Sequence, residues 1–491
     1  MNREITCVAS STTDVRWLAR SAITIVLLTA ISPLFGQSPP VSPDRPWHSS
    51  EELITDAQSF HVPAFRIESD KIYSLAELID LAEAHNPETR LAWERSRAQA
   101  ATLGIARSQL YPTLAAVALS HLNRGEVLFG TSFLSQTIQA FQMAFDLNYT
   151  VFDFGARSGR IAASRAEVLA ANFGFNDIHR NVIYQVEQAY YRLLNASGQE
   201  DAARASLSNA QTVQQAAEDR LSHGLATLPD VLEARSATAQ AEYVLQGALG
   251  AEEIARGDLA TALGADPTAT IHVQPLNQVS IPESIGDTVD QAIHRAFADR
   301  PDLMQRVAEI RSASARVKEA RAAFYPTLHL NTTPNTQLLY GSQQALPWTH
   351  TAGFYGGLSA TLNWTLFDGG ARRSNLARAE ANVLATEAQA NVARDQIANE
   401  VWAAYSDLHT AFRQRQAATA LLEAANQSYA AALESYNYGV RTLLDVTAAQ
   451  RTLAQAQSAD VLARTQVLAA LADLAFRTGD AIQADTRRTR P

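Results

Sequence analysis

Phe141-Gln142-Met143-Ala144-Phe145-Asp146-Leu147-Asn148-Tyr149-Thr150-Val151-Phe152-Asp153-Phe154-Gly155-Ala156-Arg157 holds the fold in one passage. From Phe141 to Val151, apolar residues (Phe, Met, Phe, Leu, Tyr, Val) alternate with Gln, Ala, Asp, Asn and Thr. A period of two with one apolar and one polar face is a β-strand lying between two different environments. An Asp and a Gly end the alternation, and an Ala-rich stretch without proline then runs from about Ala156 to Leu221. As a helix rising 1.5 Å per residue, it would reach about 100 Å. A compact domain does not accommodate that length.

The passage occurs twice. Phe367-Asp368-Gly369-Gly370-Ala371-Arg372 repeats its end 215 positions later, and a second proline-free stretch follows from Ala371 to Tyr436. Before it, Phe354, Leu358, Ala360, Leu362, Trp364 and Leu366 alternate with Tyr355, Ser359, Thr361, Asn363 and Thr365. Tyr111-Pro112-Thr113-Leu114 returns as Tyr325-Pro326-Thr327-Leu328, and Asn86-Pro87-Glu88 as Arg300-Pro301-Asp302. Val186-x-x-Ala189-Tyr190 matches Val401-x-x-Ala404-Tyr405, and Gly224, Asp230-Val231 and Gly264 match Gly439, Asp445-Val446 and Gly479. One offset held over so many pairs marks a tandem duplication, with repeats over 73–265 and 287–480 and a linker over 266–286. Each repeat predicts helices near 75–85 and 87–109 (287–299 and 301–323), the second opened by Pro and stopped by Tyr-Pro. Strands follow at about 113–122 and 140–152, and at about 327–333 and 353–367. The long helix, a tight turn carrying Gly224 or Gly439, and a return helix over 229–263 or 443–478 complete each repeat. The class is α+β, with long antiparallel helical hairpins and four strands per chain.

The 491 residues are 47% hydrophobic and 18% charged, too apolar for a disordered chain, and a net charge of −10 argues against a nucleic-acid binder. The single cysteine, Cys7, rules out an intrachain disulfide. Arg3, Arg16 and Arg20, then the apolar run Ala22–Ile31 and Ser32-Pro33, read as a secretory signal over 1–36. The Ser- and Pro-rich segment 37–72 reads as a tether or a wrapping segment, and 481–491 as a tail. No P-loop, H-E-x-x-H or G-x-S-x-G occurs, and the eleven histidines are scattered. Neither catalytic residues nor a cofactor or metal site is expected; His121 and His329, on predicted strands, read as polar strand residues facing a lumen or an interface.

Four amphipathic strands cannot close a membrane barrel, since the smallest have about eight. An open sheet in lipid leaves its edge groups unpaired, so the chain must associate: two copies supply eight strands, three supply twelve. Aromatic residues gather at both strand ends, Phe129, Phe133, Tyr340 and Trp348 near the loops and Tyr149, Phe152, Trp364 and Phe367 near the helices. Such girdles belong at membrane interfaces. A soluble β-domain in a periplasmic structural or adaptor-like coiled-coil protein is the alternative.

Taken together and in order, Asn86-Pro87-Glu88, Arg300-Pro301-Asp302-Leu303, the Tyr-Pro-Thr-Leu pair, Leu366-Phe367-Asp368-Gly369-Gly370 and Tyr436-Asn437-Tyr438-Gly439-Val440-Arg441-Thr442-Leu443-Leu444-Asp445-Val446 resemble the TolC family of outer-membrane efflux proteins. The resemblance covers about 73–480. It implies a homotrimer in outer-membrane lipid with a twelve-stranded β-barrel and a periplasmic α-helical barrel, docked to a periplasmic adaptor and an inner-membrane pump for efflux or type I secretion. It also implies that the hairpin tips close the periplasmic entrance: Asp230 and Asp445 as an acidic constriction, Tyr436 and Arg441 as restraining contacts, and Gly224, Leu225, Gly439 and Val440 as the surface an adaptor grips. Thr227-Leu228-Pro229-Asp230 and Thr442-Leu443-Leu444-Asp445 also fit capping boxes, which explains the same acids structurally. Asp153 and Asp368 read as caps of the long helices, and Gly155, Gly369 and Gly370 as easing the strand-to-helix turn. Where some members carry a further acid one turn after Asp445, this chain has Ala448.

Overall fold

A computed structural model describes residues 70–282 and 288–480 except 345, together with 55, 56, 59, 65, 67 and 68. Every element from residue 72 onward belongs to one unit, which begins at Phe65. The signal expected over 1–36, the tail over 481–491 and most of 37–72 lie outside the described residues.

Strand β1 (Ile72–Tyr73) leads into α1 (Leu75–His85), α2 (Pro87–Ser108), β2 (Thr113–Phe129), β3 (Ser132–Phe152), α3 (Ala156–Ser222) and α4 (Leu228–Ala262). Strand β4 (His272–Val273) pairs in parallel with β1, a contact with no signal in the sequence pattern. The second copy then runs through α5 (Val289–Asp299), α6 (Pro301–Ala322), β5 (Thr327–Thr332), β6 (Asn335–Gln343), β7 (Thr349–Tyr355), β8 (Leu358–Asn363), α7 (Ala371–Asn437) and α8 (Leu443–Thr478). Both long helices have 67 residues and start 215 positions apart. Ser74 with Glu77, and Thr288 with Gln291, form capping boxes at the starts of α1 and α5, while Pro87 and Pro301 sit where a helix does not need their missing N–H.

The helices lie in a row: α2 and α4, then α3, then α6 and α8, then α7. The members of each pair meet end to end. Asn86 Nδ2 donates to the carbonyl of Ala262 at 3.0 Å, and a Cβ on Gly264 would lie 3.2 Å from the His85 carbonyl oxygen. At the second joint, a Cβ on Gly479 would lie 3.2 Å from the Asp299 carbonyl carbon. This close approach accounts for the repeated Gly264 and Gly479. Between the joints, α3 and α7 run unbroken. Two cores flank them at that level, one of Leu78, Val186, Leu193 and Leu259, the other of Ala296, Val401, Leu408 and Val467. Val186 and Val401, matched in the duplication, are both fully buried.

The six strands other than β1 and β4 form one antiparallel sheet in the order β2, β3, then β5 with β6, then β8 with β7. The strand limits differ from those expected. β2 and β3 run 17 and 21 residues to a two-residue turn at Gly130-Thr131, because polar Asn123, Arg124 and Glu126 interrupt the apolar pattern without breaking the ladder. The strand expected over 327–333 continues as β6 past Thr333 and Pro334, whose missing N–H breaks it. The one expected over 353–367 starts at Thr349, breaks at Gly356-Gly357 and ends at Asn363. Beyond it, Trp364 Nε1 donates to the Phe324 carbonyl at 3.2 Å.

The register sorts the faces. Phe141, Met143, Phe145 and Leu147 share one face with Leu114, Leu338, Phe354 and Leu358; Met143 is 64% exposed and Phe354 73%. Asn148, Asn331 and Ser359 stand on the other face, with Thr150, His329 and Thr361 one step along. There His329 Nδ1 and Thr150 Oγ1 lie 3.2 Å apart, and Nε2 is 3.0 Å from Thr327 Oγ1. At about 3.3 Å per residue, β3 is about 70 Å long, more than the 9–11 residues a membrane needs. Its lipid-suited alternation stops at Phe141; toward the turn, Gln139, Thr137 and Ser135 occupy the formerly apolar face. At that border Tyr340 lies edge-on to Phe141, centroids 6.4 Å apart.

Candidate functional site

The far ends of the helical hairpins bring most of the candidate residues together. Each long helix ends in a Schellman turn: Leu225 N–H reaches the Arg220 carbonyl at 2.8 Å and Val440 N–H the Ser435 carbonyl at 2.9 Å. Gly224 (φ 68°) and Gly439 (φ 75°) supply the left-handed residue the motif requires. Leu225 and Val440 follow them into solvent, with Leu228, Tyr438 and Leu444 beside them, all exposed.

Asp230 and Asp445 sit in the first turns of α4 and α8. The Asp230 carboxylate accepts from Thr227 N–H at 2.9 Å and O–H at 2.7 Å; Asp445 accepts from Thr442 at 3.1 and 2.9 Å. Both acids therefore take part in capping boxes. These donors hold both carboxyls below the ordinary Asp range, the Thr227 amide first for Asp230 and the Thr442 hydroxyl first for Asp445. The charge of Arg441 adds to the lowering at Asp445. Arg441 itself is exposed, and its side chain has no hydrogen bond or ion pair among the described residues.

Tyr436 is buried, and its hydroxyl has no hydrogen-bond partner among the described residues. Burial raises its pKa. Its contact is with Arg220, a residue that no sequence motif singles out. The Arg220 guanidinium lies 4.8 Å over the Tyr436 ring and donates to the carbonyls of Tyr436 at 2.8 Å and Asn437 at 3.2 Å. A cation thus sits on carbonyls at the C-terminal end of a neighbouring helix, one of which, Tyr436, also accepts from Gly439 N–H at 2.9 Å. An Arg four residues before the tip glycine in one copy, where the other has Ser435, is the signal that marks it.

The strand-to-helix junctions are built alike in both copies. Asp153 accepts from Gly155 N–H at 3.2 Å, Arg157 N–H at 2.8 Å and Arg157 Nε at 2.9 Å. Asp368 does the same with Gly370 and Arg372 at 3.1, 3.0 and 2.8 Å. Gly155 and Gly370 are left-handed at φ 99° and 89°. Midway along the row, the joint of the second copy is ionic. Arg300, 5% exposed, grips Asp302 through two nitrogens at 3.0 and 2.6 Å and Glu400 at 2.7 Å. Arg180, 2% exposed, donates to the Phe476 carbonyl at 2.9 Å and pairs with Asp177 at 2.6 Å. At the first joint, neutral Asn86 takes the place of Arg300.

The described residues contain no group of three or more His, Cys, Asp or Glu that could hold a metal ion, and none of their helices is long and apolar enough to cross a membrane. The outer strands of the sheet, β2 and β7 with β8, have no further partner among the described residues. The outer membrane efflux protein model matches residues 78–265 and 292–480, one match per repeat. The chain belongs to that family. Protein CyaE of Bordetella pertussis is 30% identical over 423 residues, 84% of this chain and 85% of that one. Outer membrane protein OprJ of Pseudomonas aeruginosa is 26% identical over 411 residues, 82% of each chain. A membrane protein of known structure from Pseudomonas aeruginosa superposes with a TM-score of 0.72 at 25% identity, covering 86% of this chain and 99% of that one. The outer-membrane channel OprN shares the fold, with a TM-score of 0.71 at 21% identity over 90% and 98% of the two chains.

This outer membrane efflux protein is accordingly an exit channel of the outer membrane, its helical tunnel in the periplasm. The family is one of transport conduits rather than enzymes. A periplasmic coiled-coil protein without a barrel is not the reading these likenesses favour.

Proposed function

We propose that this efflux protein is a passive conduit gated at its periplasmic mouth by the hairpin tips. The observation that carries the proposal is the distribution of tip contacts: among the described residues, the side-chain hydrogen bonds of Asp445 stay within its own cap, Arg441 has no hydrogen bond or ion pair, and both are exposed. These are groups free to engage a neighbouring copy. Three copies bring Asp230 and Asp445 together as six carboxylates, a ring that attracts cations. Within one chain, local donors pull their pKa values down, while like charges brought close in the ring raise them. The apolar tip formed by Leu225, Val440 and their neighbours, turned by Gly224 and Gly439, is the surface an adaptor grips. Segment 1–36 directs export and is removed.

Energy and cargo choice belong to the pump. Among the relatives, one is named for pyoverdine export and another for cation efflux; the tunnel itself selects weakly between such cargoes. The test is single-channel conductance of the purified trimer. Asp445→Ala with Arg441→Ala should raise it, and an unchanged conductance would sink the gate assignment.

A further inference from the structure

We infer that a collar of arginine and lysine, where the helices meet the sheet, binds the headgroups of anionic phospholipids in the periplasmic leaflet, with Arg107, Lys318 and Arg373 as the contact residues. The inference rests on the sheet's apolar face being the one that meets lipid, and adds what the helices just below it hold.

Charge is segregated along the chain. The four helix ends that meet the sheet, over 101–112, 153–167, 315–325 and 368–380, hold ten Arg and Lys against five Asp and Glu, a balance of +5 in a chain of net charge −10. All five acids are taken. Asp153 and Asp368 pair with Arg157 and Arg372 inside their own caps. Glu319 pairs with Arg160, Glu167 with Arg316 and Glu380 with Arg321. That leaves Arg107, Arg165, Lys318, Arg373 and Arg378 exposed, with no side-chain hydrogen bond or ion pair among the described residues.

The place of these cations identifies their partner. The apolar face of the sheet runs through Tyr149 and Phe152, opposite Leu330 and Leu328. It continues into Phe154, edge-on to Phe152 with centroids 4.6 Å apart, and Tyr325, stacked on Phe154. Tyr111, matched with Tyr325 in the duplication, is 70% exposed. Such rings mark the level of the membrane interface. Arg107 stands four residues before Tyr111 and Lys318 seven before Tyr325, about 6 and 10 Å along their helices. Arg373 is the third residue of α7. The headgroup layer on each side of a bilayer is about 6 Å deep, within reach of long side chains whose apolar stems lie along the protein. Lys318 is on the opposite side of α6 from Arg316 and Ala320, which line a groove shared with α3 and α7. Arg378 lines that groove, so it and the more distant Arg165 add to the field rather than to the contact.

Arg107 also suits the C-terminal end of its helix, a role that needs no lipid. Arg373 has no such reason to be where it is. It lies in the first turn of α7, where the helix dipole disfavours a cation and no acid is present. A cation set against the dipole and left without an acid is stabilised by an anion from outside the chain, and at this level of a membrane the anions are phosphate-bearing headgroups.

The experiment uses the full-length protein, extracted in detergent and titrated with phosphatidylglycerol or phosphatidylethanolamine of the same acyl chains, bound lipid being counted by native mass spectrometry. The parent should hold phosphatidylglycerol in preference. Arg107→Gln with Lys318→Gln and Arg373→Gln should lose that preference, by about fivefold in affinity for each cation removed; if this triple variant does not assemble, Lys318→Gln alone reads one such step. Arg107→Lys with Arg373→Lys keeps the charge and should keep the preference. So should Arg90→Gln with Arg95→Gln and Arg413→Gln, which removes three exposed cations away from the collar. Equal retention of both lipids by the parent, or an undiminished preference in the triple variant, would overturn the inference. Displacement of the lipid by excess inorganic phosphate would mark a free-anion site and overturn it too. If the triple variant leaves lipid binding unaltered but shifts the reversal potential in a KCl gradient, the collar faces the lumen and the lipid reading falls. Normal assembly of Leu362→Arg would instead remove the lipid face on which the inference rests, a result independent of which lipid is held.

Discussion

Asp230 and Asp445 perform a local task whatever their part in the pore. Thr227→Ala removes the hydroxyl from one of these boxes and should cost about 1 kcal/mol of stability, seen as a lower thermal midpoint. Because both carboxyls titrate below their ordinary range when folded, their contribution is complete above that range and is lost as pH falls through the depressed values. Acid alone should loosen these caps, and a thermal midpoint falling between neutral and mildly alkaline pH would have to come from other groups. At the junction, Gly369 lies at φ 66°, and a Cβ added there would meet nothing within 4 Å, so Gly369→Ala should cost about 1–2 kcal/mol through the backbone alone. The first copy already bears that strain, since Phe154 stands at φ 51° and stacks on Tyr325 with centroids 5.0 Å apart. The capping acids are legible in the sequence because donor and acceptor lie three residues apart. Arg220 is not, because its acceptors are 216 and 217 positions away.

At the scale of elements, the sheet must present one face to lipid. Leu362 shares the face of Leu358 and Ala360 and is 63% exposed in the single chain. Leu362→Arg should therefore hinder assembly by about 2–4 kcal/mol if it lies mid-membrane; a normal yield of heat-modifiable trimer would reverse the facing. Helix limits are legible to within a residue or two, since Ser74, Thr288, Pro87, Pro301 and the tip glycines punctuate them. Strand limits are not. Alternation reports where a face is buried in something apolar, and β2 and β3 continue past that region on hydrogen bonds alone. The breaks at Pro334 and Gly356-Gly357 likewise leave the alternation readable while interrupting the ladder.

For the whole molecule, the duplication makes the architecture legible, but its two copies are not equivalent in chemistry. Arg300 holds the Asp302 and Glu400 carboxyls below the ordinary range despite their burial. Their contribution to stability is present above that range and lost as pH falls through the lowered values. Arg300→Ala, which leaves both acids without that partner, should cost about 3 kcal/mol, whereas Asn86→Ala at the matching joint should cost about 1 kcal/mol; chemical denaturation of the two variants checks the ranking. Light scattering on the detergent-extracted protein should give a mass of three chains. The end-to-end joints have a mechanical meaning in that trimer. Two of the four staves each copy contributes are cut, and both cuts fall at the level of α1 and α5, while the uncut staves beside them carry tension past the gap. A buried core backs each cut, Leu78, Val186, Leu193 and Leu259 at the first joint and Ala296, Val401, Leu408 and Val467 at the second. Because the Arg300 clasp stands at one joint per copy and neutral Asn86 at the other, three copies would set ionic and neutral joints alternately around the ring.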